Sequence, residues 1–210
     1  MAEIMTLAAG LGSLLLCGLA PAAPAQAPSQ SEADEYTRYE LLAPETSQFR
    51  ITYEVTAATP GATVFYNPIR RGSEASNEAV HDRLSGAPLR FEIVDGAKAR
   101  AEGYSEAEPE TSYIKIRLPR PVPKAAGEVR LLIDKTYKDP KSYFREADRI
   151  VFSRSLSIPR NAVVLPAGYE LVACNVPSQV LRLDDGRIQV SFMNSLPAEA
   201  PLVVKARRLP

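Results

Sequence analysis

Residues 49–57, F-R-I-T-Y-E-V-T-A, set Phe49, Ile51, Tyr53, Val55 and Ala57 in strict alternation with Arg50, Thr52, Glu54 and Thr56. A period of two gives a strand one apolar face and one wet face, whereas winding the same residues at 3.6 per turn scatters the apolar side chains around a helix. Shorter runs of β character recur at 36–42, 62–66, 89–93, 114–118, 129–133, 149–154, 179–183, 188–192 and 202–206. Turn signals roughly every 8 to 12 residues separate them, the spacing of a two-sheet sandwich. The 18 prolines fit this reading and oppose a helical bundle, in which each interior proline costs about 3 kcal/mol. The fold class expected is therefore all-β: a two-sheet antiparallel β-sandwich of about a dozen short strands. One short helix is predicted at 97–102, with Asp95 as its cap and Gly103 at its end.

The sandwich is organised around residues 158–177, where three prolines and a glycine cut two apolar runs to length. Pro166 presets φ and Gly168 tolerates φ > 0, so the chain is expected to turn a corner between strands at 162–165 and 169–174. A second turn signal, Asp185-Gly186, reads as a type I′ hairpin with a two-residue loop. That loop sets Leu183 opposite Ile188, Leu181 opposite Val190 and Gln179 opposite Phe192.

At the N-terminus, an apolar run at 7–20 precedes A-P-A at 23–25, a site a signal peptidase can cut before Gln26. The run is shorter than the roughly 20 apolar residues a permanent span needs. The domain plan expected is a signal peptide at 1–25, a disordered tether at 26–35 and a β-sandwich domain at 36–210. The product is then periplasmic or secreted, with no stable membrane span after signal removal. Lipid anchoring at Cys17 is the less favoured route, because Leu16 stands where a lipobox needs a small residue. After cleavage only Cys174 remains, too few for an intramolecular disulfide.

The 25 basic and 25 acidic residues are interspersed, so no field exists to attract nucleic acid or an anionic surface. The zincin, Walker, nucleophile-elbow and dinucleotide motifs are absent, and the one histidine, His81, has no partners in sequence for a zinc site or a triad. No catalytic residue, metal or cofactor is assigned. The function expected is a non-catalytic exported binding or accessory module with a protein or glycan partner. Its candidate contacts are Arg70, Arg71, Tyr143, Phe144, Arg154, Arg160, Asn161 and Tyr169, the aromatic and arginine types that anchor interfaces. The alternatives are a carbohydrate-active hydrolase using paired carboxylates, drawn from Glu54, Glu92, Asp134 and Glu170, or a purely structural envelope protein.

The tracts F-S-R-S at 152–155, P-R-N-A-V-V-L-P-A-G-Y at 159–169 and D-G-R-I-Q-V-S-F-M-N at 185–194 resemble a group of exported bacterial β-sandwich domains. They are loosely similar to the β-sandwich that precedes the catalytic domain of aminopeptidase-N-like metallopeptidases. The resemblance implies the sandwich without the catalyst. The zinc motif of that family lies in a following domain, so no active-site residue is carried over.

Overall fold

The computed structural model describes residues 30–125, 128–195 and 198–210. The expected signal peptide, its cleavage site, Cys17 and the first part of the tether lie outside the described residues. The rest is mostly β, fourteen strands joined by turns and loops, with one short α-helix and a 3-10 turn at Pro44–Thr46, as an all-β sandwich requires.

The largest sheet has seven strands: β1 (Glu32–Leu41), β2 (Gln48–Ala57), β4 (Glu74–Asp82), β7 (Val129–Lys138), β10 (Arg160–Val164), β12 (Gln179–Arg182) and β13 (Ile188–Met193). Their order across the sheet is β12-β13-β10-β1-β2-β7-β4. A four-stranded sheet runs β11-β14-β9-β8, with β8 (Tyr143–Glu146), β9 (Arg149–Leu156), β11 (Tyr169–Cys174) and β14 (Ala200–Arg208). A three-stranded sheet runs β3-β6-β5, from β3 (Val64–Ile69), β5 (Phe91–Asp95) and β6 (Ser112–Arg117).

One core joins them. The inward residues of β2, Phe49, Ile51, Tyr53 and Val55, pack with Phe65, Ile114 and Ile116 from the three-stranded sheet and Ile150, Phe152 and Leu202 from the four-stranded sheet. Phe152 meets Phe49 edge-on at 5.3 Å and Tyr39 at 5.4 Å, the offset geometry that aromatic quadrupoles favour. The second layer of the sandwich is thus two small sheets instead of the single one expected, and a seam runs where they meet over the seven-stranded sheet.

The corner forms as the prolines dictate. β10 belongs to the large sheet and β11 to the four-stranded one, Gly168 takes φ 77°, and the Tyr169 amide donates to Pro166 O at 3.3 Å. Leu165, at the bend, is fully buried.

Several details differ from the sequence reading. β1 and β10 pair in parallel, the one such pair among the described strands. β1 begins at Glu32, inside the segment read as a disordered tether, because Gln30 and Ser31 are tied to Tyr66 and Thr59. Strands also form at β4 (Glu74–Asp82) and β8 (Tyr143–Glu146), outside the runs of β character read from the sequence.

The β12–β13 hairpin has a three-residue loop: Leu183 and Arg187 close it, with Gly186 at φ 81°. This is a type I turn followed by a glycine bulge, and it shifts the register by one. Val180 pairs with Val190, Leu181 with Gln189 and Gln179 with Ser191. All four residues of β12 are exposed, so the strand is a solvent-facing edge.

The helix α1 (Gly96–Ala101) starts where Asp95 accepts from the Lys98 amide at 2.7 Å. The acidic stretch at 105–110 packs back against the helix. Ala107 is fully buried, and the carbonyl of Glu108 lies so close to Gly96 that a Cβ there would meet it at 1.8 Å.

Candidate functional site

Two strands of the core carry a cation where the alternation calls for an apolar side chain. On β7 the inward series is Val129, Leu131, Ile133, Lys135 and Tyr137; on β9 it is Ile150, Phe152, Arg154 and Leu156. Lys135 is 5% exposed and Arg154 7%. Both lie at the seam, where a cavity of about 290 Å³ opens between Tyr39, Tyr53 and Tyr137 of the large sheet, Asn67 and Pro68 of β3, and Ser155 and Leu156 of β9.

The Arg154 guanidinium is framed by the rings of Tyr39, Phe49 and Tyr137, with Cζ 5.5 to 5.9 Å from each centroid. Such a cage compensates partly for lost hydration. Its Nη1 donates to Asp139 Oδ2 at 3.3 Å and to Ser142 Oγ at 3.4 Å, whereas its buried Nε has no hydrogen-bond partner.

Asp139 is saturated by Ser73 Oγ, Ser142 Oγ and the amides of Lys141 and Ser142. Burial raises the pKa of its carboxyl, but those hydrogen bonds and the Arg154 charge outweigh it and hold the group below the ordinary carboxylate range.

Lys135 has only neutral acceptors, Asn67 Oδ1 at 2.6 Å and Pro68 O at 3.4 Å, with the Tyr137 ring 5.1 Å from Nζ. Burial, reinforced by the charge of Arg154, lowers its pKa to about 7. Of these two interior cations, only Arg154 has a carboxylate in ion-pair contact among the described residues. Thr37 also borders the cavity, and its buried Oγ1 is likewise without a partner.

The opposite end of the cavity is acidic. A bulge in β1, where Asp34 takes φ 51°, re-aims the strand so that Glu32 and Glu35 both reach the Tyr53 hydroxyl, at 3.1 and 2.5 Å. One hydroxyl has one proton to donate. It is shared between the two carboxylates, more closely with Glu35, and burial, reinforced by the Glu35 charge, raises the Glu32 carboxyl above its ordinary range. Burial and the two neighbouring carboxylates push the Tyr53 phenol far above its ordinary range.

A larger recess of about 600 Å³ lies beside α1 between Gly61, Tyr66, Tyr104 and Lys115. Its polar groups are occupied: Lys115 is paired with Glu92 and Glu102, each at 2.8 Å, and Gln30 is bonded twice to the Tyr66 backbone. Of the buried polar atoms without a partner among the described residues, Arg154 Nε and Thr37 Oγ1 belong to residues that line the seam cavity, whereas Thr56 Oγ1, His81 Nδ1 and Asn161 Oδ1 belong to residues that do not.

Of the residues expected from sequence, Arg154 and Arg70 come together here. Arg70 borders the cavity, donating from Nη1 to Ser155 O at 3.0 Å and from its amide to the Tyr137 hydroxyl at 3.1 Å. The others lie elsewhere. Arg71 is in an exposed turn, and Tyr143 is fully buried with its hydroxyl on Leu42 O. Phe144 is half-buried on β8, and Tyr169 is half-buried against the core. Asn161 is buried beside Thr37 in the parallel pair. Arg160 clamps the β1 bulge, donating to the carbonyls of Asp34 and Glu35.

Lys135, Tyr53, Glu32 and Glu35 are not among the residues the sequence nominates, although a lysine in the apolar phase of a strand is a readable signal. The four strand carboxylates considered for hydrolysis sit in ion pairs: Glu54 with Arg83, Glu92 with Lys98 and Lys115, Asp134 with Arg50, and Glu170 with Arg207. Among the described residues no group of three or more His, Cys, Asp and Glu side chains is placed to hold a metal ion, and no helix is long and apolar enough to cross a membrane.

No protein-family model matches this chain, and no curated protein matches it. Its structural neighbours are M1 zinc metallopeptidases. The chain is similar to the M1 zinc metallopeptidase from Deinococcus radiodurans, with a TM-score of 0.49 and 11% identity over 82% of this chain and 41% of that one. It is similar to a mutant of that enzyme bound to a Tyr-Ser-Ala substrate, at 0.48 and 12% over the same shares. A two-domain M1 zinc metallopeptidase mutant bound to L-arginine scores 0.48 at 13%. The likeness is one of fold alone. This chain spans 41% of the length of those enzymes.

Proposed function

We propose that this chain is a non-catalytic, exported β-sandwich binding or accessory module whose ligand is seated in the seam between the sheets. The observation that carries the reading is Arg154, a guanidinium held in the core with a buried, unpartnered Nε beside an open cavity. Leaving a buried donor unmade costs on the order of 1–3 kcal/mol, a cost folds seldom retain without use. The occupant is a small solute or a terminal group of a protein or glycan.

Hydrolysis of a glycosidic bond is disfavoured by the same geometry. That chemistry needs two acids flanking a gap of roughly 5 to 9.5 Å. Glu32 and Glu35 instead converge on one phenol, and the strand carboxylates are tied up in ion pairs.

Ser157 borders the cavity from an exposed position, so Ser157→Trp blocks the mouth without entering the core. The experiment immobilises both proteins, passes small-molecule, glycan and protein fractions of an envelope extract over them, and identifies what is retained. The wild type retains a component that Ser157→Trp loses, and that component is recovered chemically unchanged. Equal retention by both, or none by either, contradicts the reading.

A further inference from the structure

We infer that the seam is an anion site: it receives one carboxylate, or another singly charged oxyanion, between Arg154 and Lys135, on a ligand that carries no second negative group. The inference rests on the seam being the binding seat and adds the chemistry of what sits there. Arg154 spends Nη1 on Asp139 and Ser142 and keeps Nε without an acceptor. Lys135 has Asn67 and Pro68 as acceptors and, among the described residues, no carboxylate in ion-pair contact. Both cations lie by the Tyr137 ring, with Nζ at 5.1 Å and Cζ at 5.6 Å from its centroid, and all three residues line the one cavity.

An oxyanion there supplies what the interior lacks. It gives Nε an acceptor, gives the second cation a counter-charge, and does so in a low dielectric where a charge-assisted hydrogen bond is about twice as strong as a neutral one. Water alone, which a polar cavity of about 290 Å³ admits, gives Nε an acceptor but no counter-charge. The opposite end sets the selectivity. Glu32 and Glu35, gathered on Tyr53, repel a second negative group, so a monoanion with a neutral or positive far end fits and a dianion of similar length does not.

The test uses butyrate and succinate as probes, with sodium chloride at matched ionic strength, and reads the melting temperature at pH 6. Butyrate is expected to raise it saturably, succinate at least tenfold less potently, and chloride not at all. Lys135→Met, which keeps the length of the side chain and removes the charge, weakens the butyrate response at least tenfold. Ser157→Trp, an exposed change that leaves the core intact, abolishes it. Equal potency of succinate, a chloride response of the same size, or an undiminished response in both variants overturns the inference. If the wild type retains an extract component that Ser157→Trp loses while butyrate does nothing, the binding seat stands and its anion chemistry falls.

Discussion

Lys135 and Arg154 are single residues that break the pattern of their own strands, and both breaks border the seam cavity. A buried amine held at a pKa of about 7 and free in the unfolded chain near 10.5 makes stability depend on pH in a definite direction. Between those values the unfolded chain binds the extra proton, so the stability this side chain allows is lowest below pH 7 and rises toward pH 10.5. Urea unfolding of ligand-free wild type and Lys135→Met from pH 6 to 10 isolates the effect. The difference between them is expected to shift by a few kcal/mol in favour of the wild type as pH rises, at about 1.4 kcal/mol per pKa unit. A pH-independent difference would mean Lys135 stays charged in the fold. The amino-acid pattern alone marks this residue, because Ile133, Lys135 and Tyr137 share a phase. A choice of contacts by residue type, favouring arginine and aromatic side chains, passes over it.

At the scale of the element, local chemistry decides what forms and contacts decide what is kept. The corner at 166–168 was legible because proline and glycine each have one conformational meaning there, and Leu165 beside it is fully buried. Leu165→Ala is expected to cost about 2–5 kcal/mol through lost contact and a residual cavity, read as a fall in the denaturation midpoint. The hairpin at 183–187 was half legible. Asp185-Gly186 marks a turn, but a dipeptide does not choose between a two-residue loop and a three-residue loop with a bulge, and that choice moves the register by one.

The helix offers a sharper case. Gly→Ala in a helix ordinarily stabilises by about 1 kcal/mol, yet at Gly96 the added methyl would meet the Glu108 carbonyl at 1.8 Å. Gly96→Ala is expected to destabilise by about 1–3 kcal/mol, as overpacking does. A rise in melting temperature would mean the 105–110 loop does not rest on the helix.

Across the whole molecule, strand content follows from alternation, but sheet membership follows from pairings between distant segments that no local pattern records. The parallel contact of β1 with β10 and the splitting of the second layer into two small sheets are of that kind. The split makes the seam, and the seam brings together Arg70 and Arg154, distant in the chain, which the sequence could nominate only one by one. It also places the acid pair of β1 across from the cations of β7 and β9. The most direct test of this account is a high-resolution crystal structure of the protein purified without added ligand. The account predicts density for a non-water molecule in the seam, with an oxygen bonded to Arg154 Nε and a second polar contact to Lys135 Nζ. A seam filled by ordered water alone, with Arg154 Nε satisfied by it, would contradict the claim that this sandwich is built around a ligand.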